Sequence, residues 1–251
     1  MKIIAVNIQK GGSSKTLTVQ VLGELLSKEH GKRVLCIDTD PQCNLSSVSG
    51  LDISQTQNHN LRTLLQNKSK VEECIYHAKY YDIIPSSILL STADTDFNTT
   101  GREMFLKEKI EGLDYDFCLI DTPPGLCILN IMSLTAADEV LIPTECSVLA
   151  MIGLAQLQST LETIRKYSNP NIKVSGILVT RYNGRANINQ SIYDSLAELA
   201  QNLDTSVYET RIRETVKIKE AQAQFLPILD YCPNCSATDD YRAFVKECKL
   251  F

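Results

Sequence analysis

The stretch that decides the fold runs Lys2-Ile3-Ile4-Ala5-Val6, then Asn7-Ile8-Gln9-Lys10-Gly11-Gly12-Ser13-Ser14-Lys15-Thr16, then apolar residues at Leu17, Val21, Leu22, Leu25 and Leu26. The first run is apolar and too short for a helix, so it reads as a buried strand, and the last spacing is that of an amphipathic helix. The small residues between them let backbone N–H groups curl around an anion. The helix N-terminus adds its positive dipole end, Lys15 reaches the outer phosphates, and Thr16 is placed to hold magnesium. This order of parts fits a nucleoside triphosphate.

Outward from this junction, strand and helix alternate. Residues 33–37, 116–120, 139–142 and 173–180 are further short β-rich runs, with 82–84 and 206–208 as weaker ones. Helical spacing returns at Leu154, Leu157, Leu161 and Ile164, and residues 61–65 suggest a short helix inside the polar stretch 54–70. The strands are apolar almost throughout rather than at every second residue, as a sheet covered on both faces requires. We read an α/β fold: a single doubly wound, mostly parallel sheet with helices on both faces, in one domain over residues 1–251. Ligands of such sheets sit at the carboxyl ends of the strands.

Composition agrees. The chain has 251 residues, 43% hydrophobic and 22% charged, with a net charge of -5, which excludes a disordered or collagen-like chain. No apolar run approaches the roughly 18 residues of a membrane span, and the first one is too short for a signal peptide, so a cytoplasmic location without stable membrane insertion is expected. Nine cysteines in such a chain are expected to be reduced thiols. The acidic balance argues against a uniformly basic nucleic-acid binder and leaves room for a local basic patch.

The loop departs from G-x-x-x-x-G-K-[ST] at both outer glycines, occupied by Gln9 and Ser14. Lys10-Gly11-Gly12 followed by Lys15-Thr16 instead resembles the deviant Walker A motif of the ParA/MinD family of P-loop ATPases. Residues 33–42, ending Asp38-Thr39-Asp40-Pro41-Gln42, resemble that family's second motif, and residues 115–124, with Asp121-Thr122-Pro123-Pro124, resemble its Walker B and switch II segment. Residues 137–144, 176–183 and 212–241 follow the family's order, so the resemblance spans essentially the whole chain. It is nearest the ParA/Soj branch of DNA partition ATPases.

What the resemblance implies can be set beside what the residues can do. ATP and Mg2+ are the expected cofactors. Lys10 is the signature lysine that reaches the partner's phosphates in an ATP-dependent homodimer. Gly11, Gly12, Ser13, Ser14, Lys15, Thr16 and Leu17 contact the nucleotide, and Arg181, Asn183, Arg213 and Thr215 lie about the base. Asp40 orients the attacking water, making Lys10, Lys15 and Asp40 the catalytic set. Thr16, Asp38 and Asp121 form the metal set, with Asp38 supporting the loop or the metal shell; magnesium keeps much of its water and takes few carboxylates. Phosphoryl transfer needs positioning and positive charge above all, which these groups supply.

The same resemblance implies non-specific double-stranded DNA as a partner, bound through Arg185 and Lys217 with Arg181, Arg211, Arg213 and Lys219 nearby. It also implies a ParB-like protein that stimulates hydrolysis, and association with the nucleoid. Three features depart from the family pattern. Ser14 replaces a glycine and is expected to weaken hydrolysis more than binding. Arg213 and Thr215 stand where many relatives carry proline and asparagine. Cys232-Pro233-Asn234-Cys235 has zinc or redox spacing in a loop where relatives lack cysteines. Alternative readings are a MinD-like positioning ATPase, for which Phe244, Val245, Cys248 and Phe251 would form a membrane-facing stripe, and a nucleotide-binding regulator with little turnover.

Overall fold

A computed structural model describes residues 1–182 and 189–250. The strands are β1 (Lys2–Val6), β2 (Val34–Asp38), β3 (Tyr76–His77), β4 (Asp82–Ile84), β5 (Phe117–Asp121), β6 (Glu139–Thr144), β7 (Lys173–Tyr182) and β8 (Val207–Arg213). They form one sheet in the order β3-β4-β2-β5-β1-β6-β7-β8, parallel except for the β3–β4 pair at one edge. The helices are α1 (Lys15–Lys28), α2 (Asn44–Val48), α3 (Leu61–Leu65), α4 (Ala93–Asp96), α5 (Phe105–Ile110), α6 (Ile128–Ala136), α7 (Val148–Tyr167), α8 (Asn189–Asn202), α9 (Val216–Ala223), α10 (Ile228–Tyr231) and α11 (Ser236–Glu247).

Two apolar cores lie on opposite faces of the sheet. Ala5, Leu35, Ile37 and Ile120 pack with Leu106, Met132, Leu154 and Leu196 from α5 to α8. Ile4, Val6, Cys36 and Leu119 pack with Leu22 and Leu25 of α1 and with Ile218, Tyr241 and Phe244 of α9 and α11. Successive strand residues feed opposite cores, and every residue of β2 and β5 is buried. Their sequences are therefore continuous apolar runs. The short helix in the polar stretch is α3, started by a capping box between Asn60 and Thr63.

β2 and β5 each run one residue beyond their apolar segments, to Asp38 and Asp121, because the ladder continues in register across Val6, Asp121 and Asp38. β8 reaches Arg213 through a polar stretch. It is an edge strand, and the Glu247 carboxylate of α11 accepts the N–H groups of Glu209 at 2.7 Å and Thr210 at 3.0 Å, which blunts the edge. The apolar stripe of α11 faces the core: Phe244 and Val245 are buried. No described helix is long and apolar enough to cross a membrane.

Close approach between β7 and β8 requires Gly176. A Cβ there would lie 2.1 Å from the Tyr208 ring, which is held by its hydroxyl donating to Ser175 O at 2.8 Å and by edge contact with Phe244. Gly176→Ala is expected to destabilise the fold by about 1–3 kcal/mol, as overpacking does. Urea unfolding of both chains checks this; coincident midpoints would show that the ring yields freely.

Candidate functional site: an anion cradle at the carboxyl edge of the sheet

The chain leaves β1 at Val6 and enters α1 at Lys15 through a loop that uses left-handed backbone twice, at Gly12 (φ 75) and Ser14 (φ 67). Added Cβ atoms at Gly11 and Gly12 would meet nothing within 4 Å, so the loop lines open space. Ser14 is strained where a glycine would be free, at a cost of roughly 1–2 kcal/mol. It sits at the N-cap of the 14-residue α1 and makes no side-chain capping bond, leaving the first helical N–H groups for an anion. Lys15 is buried, and its ammonium donates to Lys10 O at 3.0 Å and Ile8 O at 3.4 Å. Burial pushes its pKa below the ordinary value, against the pull of Asp121 and Asp40.

The three sequence-predicted aspartates meet at the ends of β2 and β5, in different roles. Asp121 Oδ2 accepts the Thr16 hydroxyl at 2.7 Å, while its Oδ1 is buried without a hydrogen-bond partner. Burial, then the nearby Asp38, raises its pKa well above the usual carboxylate range. Asp38 turns toward α2: its oxygens accept the Ser46 hydroxyl at 2.6 Å, Ser46 N–H at 2.8 Å and Asp40 N–H at 3.1 Å. Burial pushes it up to about 7, against those bonds. Asp40 accepts Gln42 N–H at 2.9 Å and borders the cradle. Among the described residues no three His, Cys, Asp or Glu side chains gather as a metal cage. The Thr16 hydroxyl and the orphaned oxygen of Asp121 suit a hard cation that completes its shell with water and phosphate oxygens.

The cradle opens into a cleft of about 410 Å³ whose lining includes Leu17, Asp40, Arg181, Arg213 and Thr215. Thr215 caps α9, and Arg213 is tied to Asp240 at 2.7 Å. Asn183 and Arg185 lie outside the described residues. Lys217 is exposed and pairs with Glu220 at 3.0 Å, and Lys219 pairs with Glu214 at 3.2 Å. Arg211 lies over the Tyr182 and Tyr193 rings. The described basic residues expected near the cleft are thus engaged with carboxylates or aromatic rings on their own chain.

Lys10 does not enter the cradle that its own backbone helps to build. Its ammonium crosses to the start of α7, donating to Ser147 Oγ at 3.2 Å and Glu145 Oε2 at 3.3 Å. Arg181 holds the other oxygen of Glu145 at 2.9 Å, so one carboxylate bridges two cations of the site. The reading of the sequence missed Glu145 and Ser147, although they directly follow β6 and could have been found by inspecting that carboxyl end.

With this geometry in hand, comparison with known proteins is specific. A family model described as an AAA domain matches residues 1–174. The chain is 33% identical to the sporulation initiation inhibitor protein Soj of Bacillus subtilis, over 98% of this chain and 97% of that protein. It is 31% identical to the chromosome partitioning protein ParA of Caulobacter vibrioides, over 98% and 93%. The chain belongs to the ParA/Soj family. A solved structure of cobyrinic acid a,c-diamide synthase from Mycobacterium smegmatis with a bound ATP analogue and magnesium shares the fold, with a TM-score of 0.84 and 29% identity over 98% of this chain and 93% of that one.

A polyphosphate entering the cleft competes with Glu145 for Arg181, which lines it. Glu145→Gln keeps the side chain's shape and removes its charge, so this chain is expected to bind ATP about threefold to tenfold more tightly, the scale of a partly exposed pair worth ~1 kcal/mol. Calorimetric titration of both chains checks this; equal affinities would show that Glu145 does not restrain Arg181.

Proposed function

We propose that the chain is an ATP-dependent, dimerising ATPase of the partition type, which binds non-specific DNA in its ATP state. The observation that carries this reading is the path of Lys10. It stands in a phosphate cradle, yet its ammonium is directed out of that cradle toward α7, as suits a lysine that serves the cradle of a second copy. Lys15 would hold the outer phosphates of its own nucleotide, the N–H groups of residues 11–16 would wrap them, and Arg181, Asn183, Arg213 and Thr215 would border the base. Thr16 and Asp121 would hold magnesium, with Asp38 bracing the strand end, and the metal would neutralise phosphate charge. Asp40 would orient the attacking water, and Lys10 of the second copy would stabilise charge on the transferred group.

Hydrolysis, stimulated by a ParB-like partner, would release both DNA and dimer, giving a nucleoid-associated switch. Ser14 takes left-handed backbone at the N-cap of α1, and nucleotide binding with slow basal turnover is expected. DNA would be met by Arg185 and Lys217, the latter after exchanging Glu220 for phosphate.

The test is binding to non-specific duplex DNA with ADP, ATP or a non-hydrolysable analogue, across a salt series, with oligomeric state followed in parallel. A dimer that binds only with the triphosphate is expected. Neutralising about five phosphates would cost roughly 500-fold in affinity between 50 and 200 mM salt. Reversing the charge of Arg185 and Lys217 together should abolish DNA binding and leave nucleotide affinity unchanged. A triphosphate-dependent dimer indifferent to DNA would remove the DNA assignment and favour positioning of another cargo. Asp40→Ala should lower turnover by about 100-fold; turnover equal to wild type would make the chain a nucleotide-dependent regulator.

A further inference from the structure

The Cys232-Pro233-Asn234-Cys235 turn takes no part in the nucleotide site, and it is built as a dithiol. Cys235 N–H donates to Cys232 O at 3.3 Å, closing a four-residue turn that brings the two Cα atoms within the roughly 7 Å of such a turn and so within reach of a disulfide. The Thr238 hydroxyl, 3.3 Å from Cys235 Sγ, also donates to Cys232 O at 2.9 Å and fixes both residues. Cys232 is buried, whereas Cys235 is half-buried beside the exposed Pro233 and Asn234. We propose that Cys232 and Cys235 form a redox-active pair that closes to an intramolecular disulfide by exchange with a low-molecular-weight disulfide.

The surroundings divide the labour between the two sulfurs. Cys235 is the N-cap of the 12-residue α11. Two guanidinium groups bracket the turn: Arg242 donates to Pro233 O at 2.7 Å and Arg213 to Ser236 O at 3.3 Å. Burial pushes the Cys235 thiol up, but hydrogen bonding by Thr238 and Ala237 outweighs it, leaving the thiol below its ordinary value. Burial, then the bond and charge of Cys235, pushes Cys232 up to about 12. Each of the other seven cysteines is raised, burial being the largest cause. Cys235 is therefore the attacking thiolate and Cys232 the resolving thiol. A zinc site would need two further ligands, and no cluster of three candidate ligands occurs among the described residues.

The exchange balances without another reactant. The Cys235 thiolate attacks one sulfur of the small disulfide, its S–S bond breaks, and one small thiolate leaves. Cys232 then gives up its proton and attacks Cys235 Sγ, releasing the second small thiolate. Two electrons pass from the protein pair to the small disulfide, and the two protons of the pair end on the two small thiols.

The full-length protein, reduced and desalted, tests this with iodoacetamide and with oxidised glutathione, each followed by peptide mass mapping. Cys235 is expected to be alkylated at pH 7 about tenfold faster than Cys127, Cys146 or Cys248, as a lowered thiol should be. Glutathione should remove two hydrogens from the peptide carrying both cysteines. Cys232→Ser should stop at one glutathione on Cys235, and Cys235→Ser should show neither product. Wild-type labelling carries the test whether or not a variant folds. Equal alkylation rates, a disulfide mapped elsewhere, or one equivalent of zinc that must be chelated before the thiols react would overturn the proposal.

Discussion

The molecule is organised around carboxylates buried at the ends of parallel strands. Asp38 and Asp121 are in register on neighbouring β2 and β5, in a layer whose apolar strand residues leave them almost no water. Burial pushes the pKa of both up, with the Asp40 charge adding to it at Asp38 and the Asp38 charge at Asp121. The chain relieves the conflict by giving them different partners. Asp38 is satisfied by Ser46 and the Asp40 N–H, which fixes the turn carrying Asp40. Asp121 is satisfied on one oxygen only, by Thr16 at the first turn of α1. The strand ends thus position the loop between β1 and α1. Thr39 and Thr122 hold this edge shut by donating to Asp121 O at 2.7 Å and Val6 O at 2.8 Å.

Much of this was legible because it is local in sequence. Strand, glycine-rich loop and helix follow one another from residue 2 to residue 28, and the aspartates stand where apolar runs end, so the cradle could be assembled by reading outward from each strand. The boundaries shifted where a polar residue continued a ladder, as at Asp38 and Asp121. The two-residue β3 has no periodicity to read. Most of β8 is hidden by its edge position, where polar side chains alternate toward solvent and the hydrogen bonds that define it come partly from Glu247 of α11.

What could not be read is long-range. Lys10 and Glu145 are separated by 135 positions, and their pairing depends on β1 and β6 being neighbours in the sheet. Neither residue carries a local signal of the other. The same holds for Arg181, which joins the bridge from the far end of β7. Ser14 is the opposite case: the substitution was plain in the sequence, but only the structure shows that the serine sits in left-handed backbone at the N-cap of α1.

Charge counting misleads here for the same reason that single cations do. Arg213, Lys217 and Lys219 each meet a carboxylate within 3.2 Å, so these three charges are offset within their own chain. A polyanion gains from such a face only by exchanging partners: phosphate must take the place of Glu220 or Glu214, and each displaced carboxylate becomes a like charge beside the ligand. These exposed pairs are weak, so the exchange is feasible, but one copy offers few contacts. Two copies joined over their nucleotides would present twice as many exchangeable cations to one duplex. Because the gain from linked sites multiplies rather than adds, an acidic chain with paired cations can bind a polyanion as a dimer while its monomer ignores it. Control by nucleotide would then follow from assembly alone, with no rearrangement of the binding face.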